Sequence, residues 1–132
     1  MIRCARSTFA VLAVLAALAA AVAPAALAQT NFDEVEIKTV SVAPGVWMLV
    51  GAGGNIGVSA GADGVFLVDD QYAPLTPKIL AAVKGVSERP VRFVVNTHWH
   101  GDHTGGNENL GGAGAVIVAH DNVRQRMSTD QF

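Results

Sequence analysis

The chain has 132 residues, with nine basic and eleven acidic side chains, four histidines and a single cysteine. A formal balance of minus two lacks the basic footprint that nucleic acid demands of a partner, so that class of function is excluded. The length suffices for one domain with a modest core and is too short for two.

The first 28 residues have the three-part layout of an export signal. Arg3 and Arg6 form a positive start, Phe9 to Val22 an uncharged apolar run, and Ala26-Leu27-Ala28 a small-x-small cleavage pattern. Cleavage is expected after Ala28, which places the mature protein in a periplasm or outside the cell, with no stable membrane anchor. A retained transmembrane anchor is the alternative, and the apolar run is short for one. The signal takes two of the nine basic residues, so the mature balance is seven positive against eleven negative, or minus four. Cys4, the only cysteine, leaves with it. Any metal held by residues 29–132 must therefore be bound through imidazole and carboxylate.

After a polar start, Val35 to Val40 alternates apolar with polar in the manner of a half-buried strand. Pro44-Gly45 breaks it. Val46 to Val50 reads as a second strand, Gly51 to Asn55 as a turn, Ile56 to Ala60 as a third strand, Gly61 to Gly64 as a hairpin turn and Val65 to Val68 as a fourth strand. This is meander spacing. From Pro74 to Lys84 the apolar residues Leu75, Ile79, Leu80 and Val83 take helical spacing, closed by Gly85. Pro90 opens a strand over Val91 to Asn96, followed by a histidine cluster, a Gly-rich loop, a strand at Ala115 to Ala119 and a helix from Asp121 to Met127. Strand, helix, strand, loop or short helix, strand implies parallel pairing with right-handed crossovers. Ligand sites in parallel sheets lie beyond the carboxyl ends of the strands. Asp69-Asp70, His98 onward and His120-Asp121 should therefore share one edge.

The cluster His98-Trp99-His100-Gly101-Asp102-His103 holds three of the four histidines. In an extended segment His98 and His100 would project side by side toward one ion while Trp99 faces away. Gly101 permits a sharp turn, after which Asp102 and His103 diverge to serve a second ion. Asp102 as a mere helix cap, and the histidines as surface or satisfied core residues, are the bland alternatives. From four His and seven Asp in 132 residues, such a pattern is expected by chance about two times in ten thousand, which favours metal binding.

This hexapeptide resembles the H-x-H-x-D-H signature of the metallo-β-lactamase superfamily. Gly53-Gly54-Asn55-Ile56-Gly57 and Val65-Phe66-Leu67-Val68-Asp69 are similar to that family's early strands, and the likeness runs from about Val46 to Met127. The resemblance implies an α/β fold, specifically half of an αββα sandwich with a mixed sheet and flanking helices, and makes residues 29–132 the amino-terminal, apparently truncated part of such a domain. It further implies that His98 and His100 bind a first Zn2+ and that Asp102 and His103 bind a second. Asp69 would orient a ligand or a bound water from behind, or else simply end its strand. Asp70-Gln71-Tyr72 departs from the small hydroxyl residue and glycine usual at that point. His120 is expected to be a polar strand end rather than a ligand, and Trp99 a packing residue.

The implied activity is metal-dependent hydrolysis of an amide, ester or thioester, a β-lactam among them, with Asp102 as the catalytic residue that orients the nucleophile. The family's remaining ligands lie on a downstream half, so each ion is expected to find two of its ligands here. The apolar face that such a half would cover predicts marginal stability, and a missing carboxyl-terminal half or a partner chain as its cover. The alternative function is a non-catalytic metal-binding or interaction fragment.

Overall fold

The structure, a computed structural model, describes residues 30–129; the expected signal segment and Cys4 lie outside them. Six strands form one sheet in sequence order: β1 (Lys38–Ala43), β2 (Val46–Val50), β3 (Ile56–Gly61), β4 (Gly64–Val68), β5 (Val91–Asn96) and β6 (Val116–Ala119). β1 to β4 pair antiparallel as a meander, and β4, β5 and β6 pair parallel. The antiparallel pairs follow from short turns that can only reverse the chain; Pro44-Gly45, with Gly45 at φ 75°, is one. The parallel pairs need longer crossovers. A 3-10 turn (Ala73–Leu75) leading into α1 (Thr76–Lys84) supplies the first, and α2 (Gly101–Thr104) with α3 (Asn107–Gly112) the second. α4 (Asp121–Met127) follows β6. Among the described residues no helix is long and apolar enough to cross a membrane.

Two sequence expectations are corrected. The first strand begins at Lys38, three residues later than the alternation of Val35 to Val40 suggests. The reason is Lys78 on α1, whose ammonium donates to the carbonyls of Phe32 (3.0 Å), Asp33 (2.7 Å) and Val35 (2.8 Å). Of these carbonyls only that of Val35 lies in the expected strand, and it is engaged by α1. In turn, the Gly-rich stretch after the histidines is the two short helices α2 and α3. Gly105 explains their tight seat: a Cβ there would lie 2.7 Å from the Gln71 carbonyl oxygen. Gly111 and Gly112, by contrast, end α3 in more open surroundings, with at most a distant contact to Ile117.

The core lies on one face of the sheet. Lateral pairing aligns Trp47, Val58, Leu67, Val94 and Ile117 in one row. Of these Val58, Leu67 and Val94 are wholly buried, in one cluster with Leu75, Ile79 and Val83 of the first crossover and Leu110 of α3. The adjacent row, Val46, Ser59, Phe66, Phe93 and Val116, points to the opposite face. There Phe66 is 37 % and Val116 54 % exposed, although both are as apolar as their buried neighbours.

Because β4, β5 and β6 run parallel, their carboxyl ends at Val68, Asn96 and Ala119 share an edge. The chain leaves that edge through Asp69-Asp70-Gln71, through Thr97 to His103, and through His120.

Candidate metal centre

Asp69 organises this edge. Its backbone N–H still donates to Val95 O (2.9 Å), extending the β4–β5 ladder by one bond, but its φ of 64° turns the chain out of the sheet. Gln71 is also left-handed, at φ 56°. Two non-glycine residues in that region within three positions cost of order 1 kcal/mol each or more, which surrounding contacts must offset. They do so through the Asp69 carboxylate. Oδ1 accepts from the Thr97 N–H (2.7 Å), and Oδ2 accepts from the Thr97 hydroxyl (2.8 Å) and from His103 Nδ1 (2.7 Å).

His103 is consequently held at both ends. Its carbonyl accepts from the Asp70 N–H (3.1 Å) and from Asn96 Nδ2 (3.1 Å), and Asn107 Nδ2 supports Asn96 Oδ1 (2.8 Å). On its open side the ring lies against Gly54, where a Cβ would stand 2.3 Å from His103 Cε1. Only glycine admits so close an approach. Gln71, fully buried, donates from Nε2 to Gly54 O (2.5 Å) and so fixes the Gly51–Asn55 turn beside the imidazole.

The histidine segment is not extended. Residues 97–100 form successive bends, so His98 and His100 are not parallel neighbours: their rings meet edge to face with centroids 4.9 Å apart. His98 lies closer to His103, at 3.9 Å. Trp99 does not face elsewhere; its ring stands 4.5 Å from that of His100 and braces it. Nor do Asp102 and His103 diverge. α2 starts at Gly101, with His100 as its N-cap, and turns His103 Nε2 toward Asp102 Oδ2 at 3.4 Å. His120 caps α4, its Nδ1 accepting from the Asn122 N–H (3.1 Å). Topology puts it on the common edge, and its ring nitrogen is engaged in that cap.

The donor set can be tested against a zinc ion. With the Nδ1 hydrogen given to Asp69, a neutral His103 turns the lone pair of Nε2 toward a carboxylate oxygen that also has only lone pairs to offer. Two acceptors facing each other across 3.4 Å repel unless a cation or a proton stands between them. Ligands of one tetrahedral zinc at about 2.0–2.2 Å lie roughly 3.3–3.6 Å apart, so this pair fits such an ion. The fit is confined to pairs: among the described residues no three His, Cys, Asp or Glu side chains converge on one point.

Asp70, next in the chain after Asp69, is fully buried, with Oδ1 accepting from the Gly106 N–H (2.9 Å) and Oδ2 without a partner. Burial raises its pKa to about 7; the neighbouring Asp69 charge adds to the rise, and the Gly106 hydrogen bond and His103 oppose it. Sequence reasoning placed Asp70 on this edge without giving it a role, and missed Thr97, Gln71 and the Asn96–Asn107 pair as parts of it. For Asp70 and Gln71 a signal existed, in that two polar residues replace the small ones expected after Asp69.

The family model of the metallo-β-lactamase superfamily matches residues 43–132. Among solved structures, the chain is similar to the metallo-β-lactamase FIM-1 from Pseudomonas aeruginosa in its mono-zinc form, at 27 % identity and a TM-score of 0.62, covering 69 % of this chain and 45 % of that one. A metallo-β-lactamase from Hirschia baltica matches at 29 % identity and a TM-score of 0.58, covering 69 % and 46 %. A third, from Cronobacter sakazakii, shares the fold at 23 % identity and a TM-score of 0.64, covering 70 % and 37 %. The chain thus spans less than half the length of these structures. Its mixed sheet with flanking helices is the corresponding part of their α/β sandwich. By the match over residues 43–132 and by this shared architecture, the chain belongs to the metallo-β-lactamase superfamily.

Proposed function

We propose that this protein is an exported, zinc-dependent metallo-hydrolase acting on an amide, ester or thioester, with a β-lactam as one candidate substrate. The observation that carries the proposal is the pairing of His103 Nε2 with Asp102 Oδ2 at 3.4 Å, with Asp69 behind the ring. His98 and His100 would hold one zinc ion, and Asp102 and His103 a second. Zinc supplies Lewis acidity and a nucleophile at neutral pH. The chain's own part is orientation. Asp69 fixes the His103 ring, a support whose loss commonly weakens a metal site about 10–100-fold. The Asp102 carboxylate, exposed enough to meet solvent, would accept a hydrogen bond from a water and align it. The Gly51–Asn55 turn, held by Gln71, walls the site beside His103. Export to a periplasm or the medium rests on the layout of residues 1–28.

A second reading, a metal-binding module without catalysis, is favoured by the convergence of donors only in pairs among the described residues. The open apolar face supports a further layer of polypeptide in the working protein, either a downstream half or a partner chain.

One experiment separates these readings. Wild type and the double variant His98→Ala/His100→Ala are compared for zinc stoichiometry and for turnover of a chromogenic cephalosporin, a simple ester and a thioester. The proposal expects zinc uptake and turnover of one substrate, both lost in the variant. Zinc uptake without any turnover selects the binding module, and a variant that keeps both refutes the assigned ligands.

A further inference from the structure

The hydrogen bonds around Asp69 constrain one histidine beyond His103. A carboxylate accepts and cannot donate, so the Thr97 hydroxyl must point its single hydrogen at Asp69 Oδ2, 2.8 Å away. That leaves Thr97 Oγ1 with only lone pairs for its other close neighbour, His98 Nδ1, at 3.0 Å. Two acceptors do not attract; the contact is favourable only if His98 Nδ1 carries the hydrogen. His103 Nδ1 obeys the same rule directly, at 2.7 Å from the same oxygen.

We propose that Asp69 sets the tautomers of two histidines at once, His103 directly and His98 through the Thr97 hydroxyl, leaving both Nε2 atoms unprotonated at the edge of the sheet. Thr97 is then a positioning residue, acting through His98. This assignment deepens the metal-centre reading and rests on it for its purpose, since a ring nitrogen binds a metal only through a free lone pair. It also accounts for the architecture of the strand ends. Asp69 lies in a left-handed conformation one residue past β4, and Thr97 lies one residue past β5. The parallel pairing of Val68 with Val95 brings the two into register. The Thr97 N–H bond to Oδ1 then prevents the carboxylate from rotating away from either client. His100 has a different support, ring packing against Trp99 and the edge of His98, and falls outside this relay.

The test is nitrogen NMR of the imidazole rings in the metal-free, full chain at about pH 8.5, well above the ordinary histidine pKa. Signals are assigned with His98→Gln and His103→Gln. The expected result is the Nδ1–H form for both rings in wild type. Thr97→Val should move His98 alone to the Nε2–H form, and Thr97→Ser, which keeps the hydroxyl, should restore it. A change confined to one ring is something that general loosening of the fold would not produce. In parallel, Thr97→Val should weaken zinc binding about 10-fold, with Thr97→Ser near wild type. The relay is overturned if His98 is Nε2–H in wild type, or if Thr97→Val leaves its tautomer unchanged. Should Thr97→Val not fold, the wild-type spectrum alone decides. Correct tautomers in a protein that takes up no zinc would support the relay while refuting the metal-centre reading.

Discussion

The two faces of the sheet are built from equally apolar residues and have opposite surroundings. On one face Val58, Leu67 and Val94 lie in one buried cluster with residues of α1 and α3; on the other Phe66 and Phe93, the residues just before Leu67 and Val94, are 37 % and 39 % exposed, and Val116 on β6 is 54 % exposed. At the carboxyl edge Asp69, Asp70, Gln71 and Asn96 are buried, whereas His98, Asp102 and His103 are half-buried and His100 is exposed. A solvated face of a sheet would alternate to polar residues. Apart from Ser59, the open-face row of Val46, Phe66, Phe93 and Val116 stays apolar. The lesson is that apolar pattern decides what can be buried, and the neighbouring layer decides what is.

The strongest test starts from Asp70, a fully buried carboxyl group at the carboxyl edge of the sheet. Its pKa rises from 3.8 in the unfolded chain to about 7 in the folded one. Between those values the folded state holds a proton that the unfolded state has released, so stability falls as pH rises. The stabilising contribution is complete below about pH 3.8 and gone above about 7, on the order of 4 kcal/mol across the window. Asp70→Asn keeps an acceptor for the Gly106 N–H and removes the titration. Urea unfolding of the metal-free protein from pH 4 to 8 should show the variant gaining on wild type as pH rises. A pH-independent difference would mean that Asp70 is not desolvated and that this edge is wetter than described.

A smaller effect is expected from the hydrophobic core on the covered face. Leu67→Ala should lower stability by about 3 kcal/mol, within the usual 2–5 for a buried leucine, by losing transfer energy and leaving a cavity in the core cluster. Denaturant midpoints measure this. The smallest effect lies across the sheet. Val116→Thr, at a residue more than half exposed, should change stability by no more than about 0.5 kcal/mol in the isolated chain. The same substitution at Val58 should cost about 1–3 kcal/mol, because it buries a hydroxyl. Equal costs at the two positions would show that the open face is already covered in solution, as by self-association, which sedimentation would reveal.

Much of this fold is readable from the residues alone. The turn residues and period-two runs mark four antiparallel strands, and the helical spacing from Leu75 to Val83 marks the first crossover. Parallel pairing then places Asp69, the histidine cluster and His120 on one edge. The first strand was misplaced because its displacement depends on Lys78, more than forty positions away, and alternation carries no trace of so distant a bond. The geometry of the histidine segment was misread for a related reason. Local pattern suggests an extended chain, whereas the Asp69 carboxylate and the Asn96 amide draw residues 97–103 into bends and a helical turn. Thr97 gave no local sign of its role, because a single polar side chain acquires a partner only when the strands are assembled.

The sequence by itself determined which strand ends share an edge and which polar side chains gather there, since residue identity and the order of strands and crossovers are local properties of the chain. Only the tertiary structure decided that His103 turns toward Asp102, that one carboxylate governs the ends of two strands, and which face of the sheet is covered. These depend on contacts between residues about thirty positions apart, whose distances and directions are fixed by packing and hydrogen bonding together.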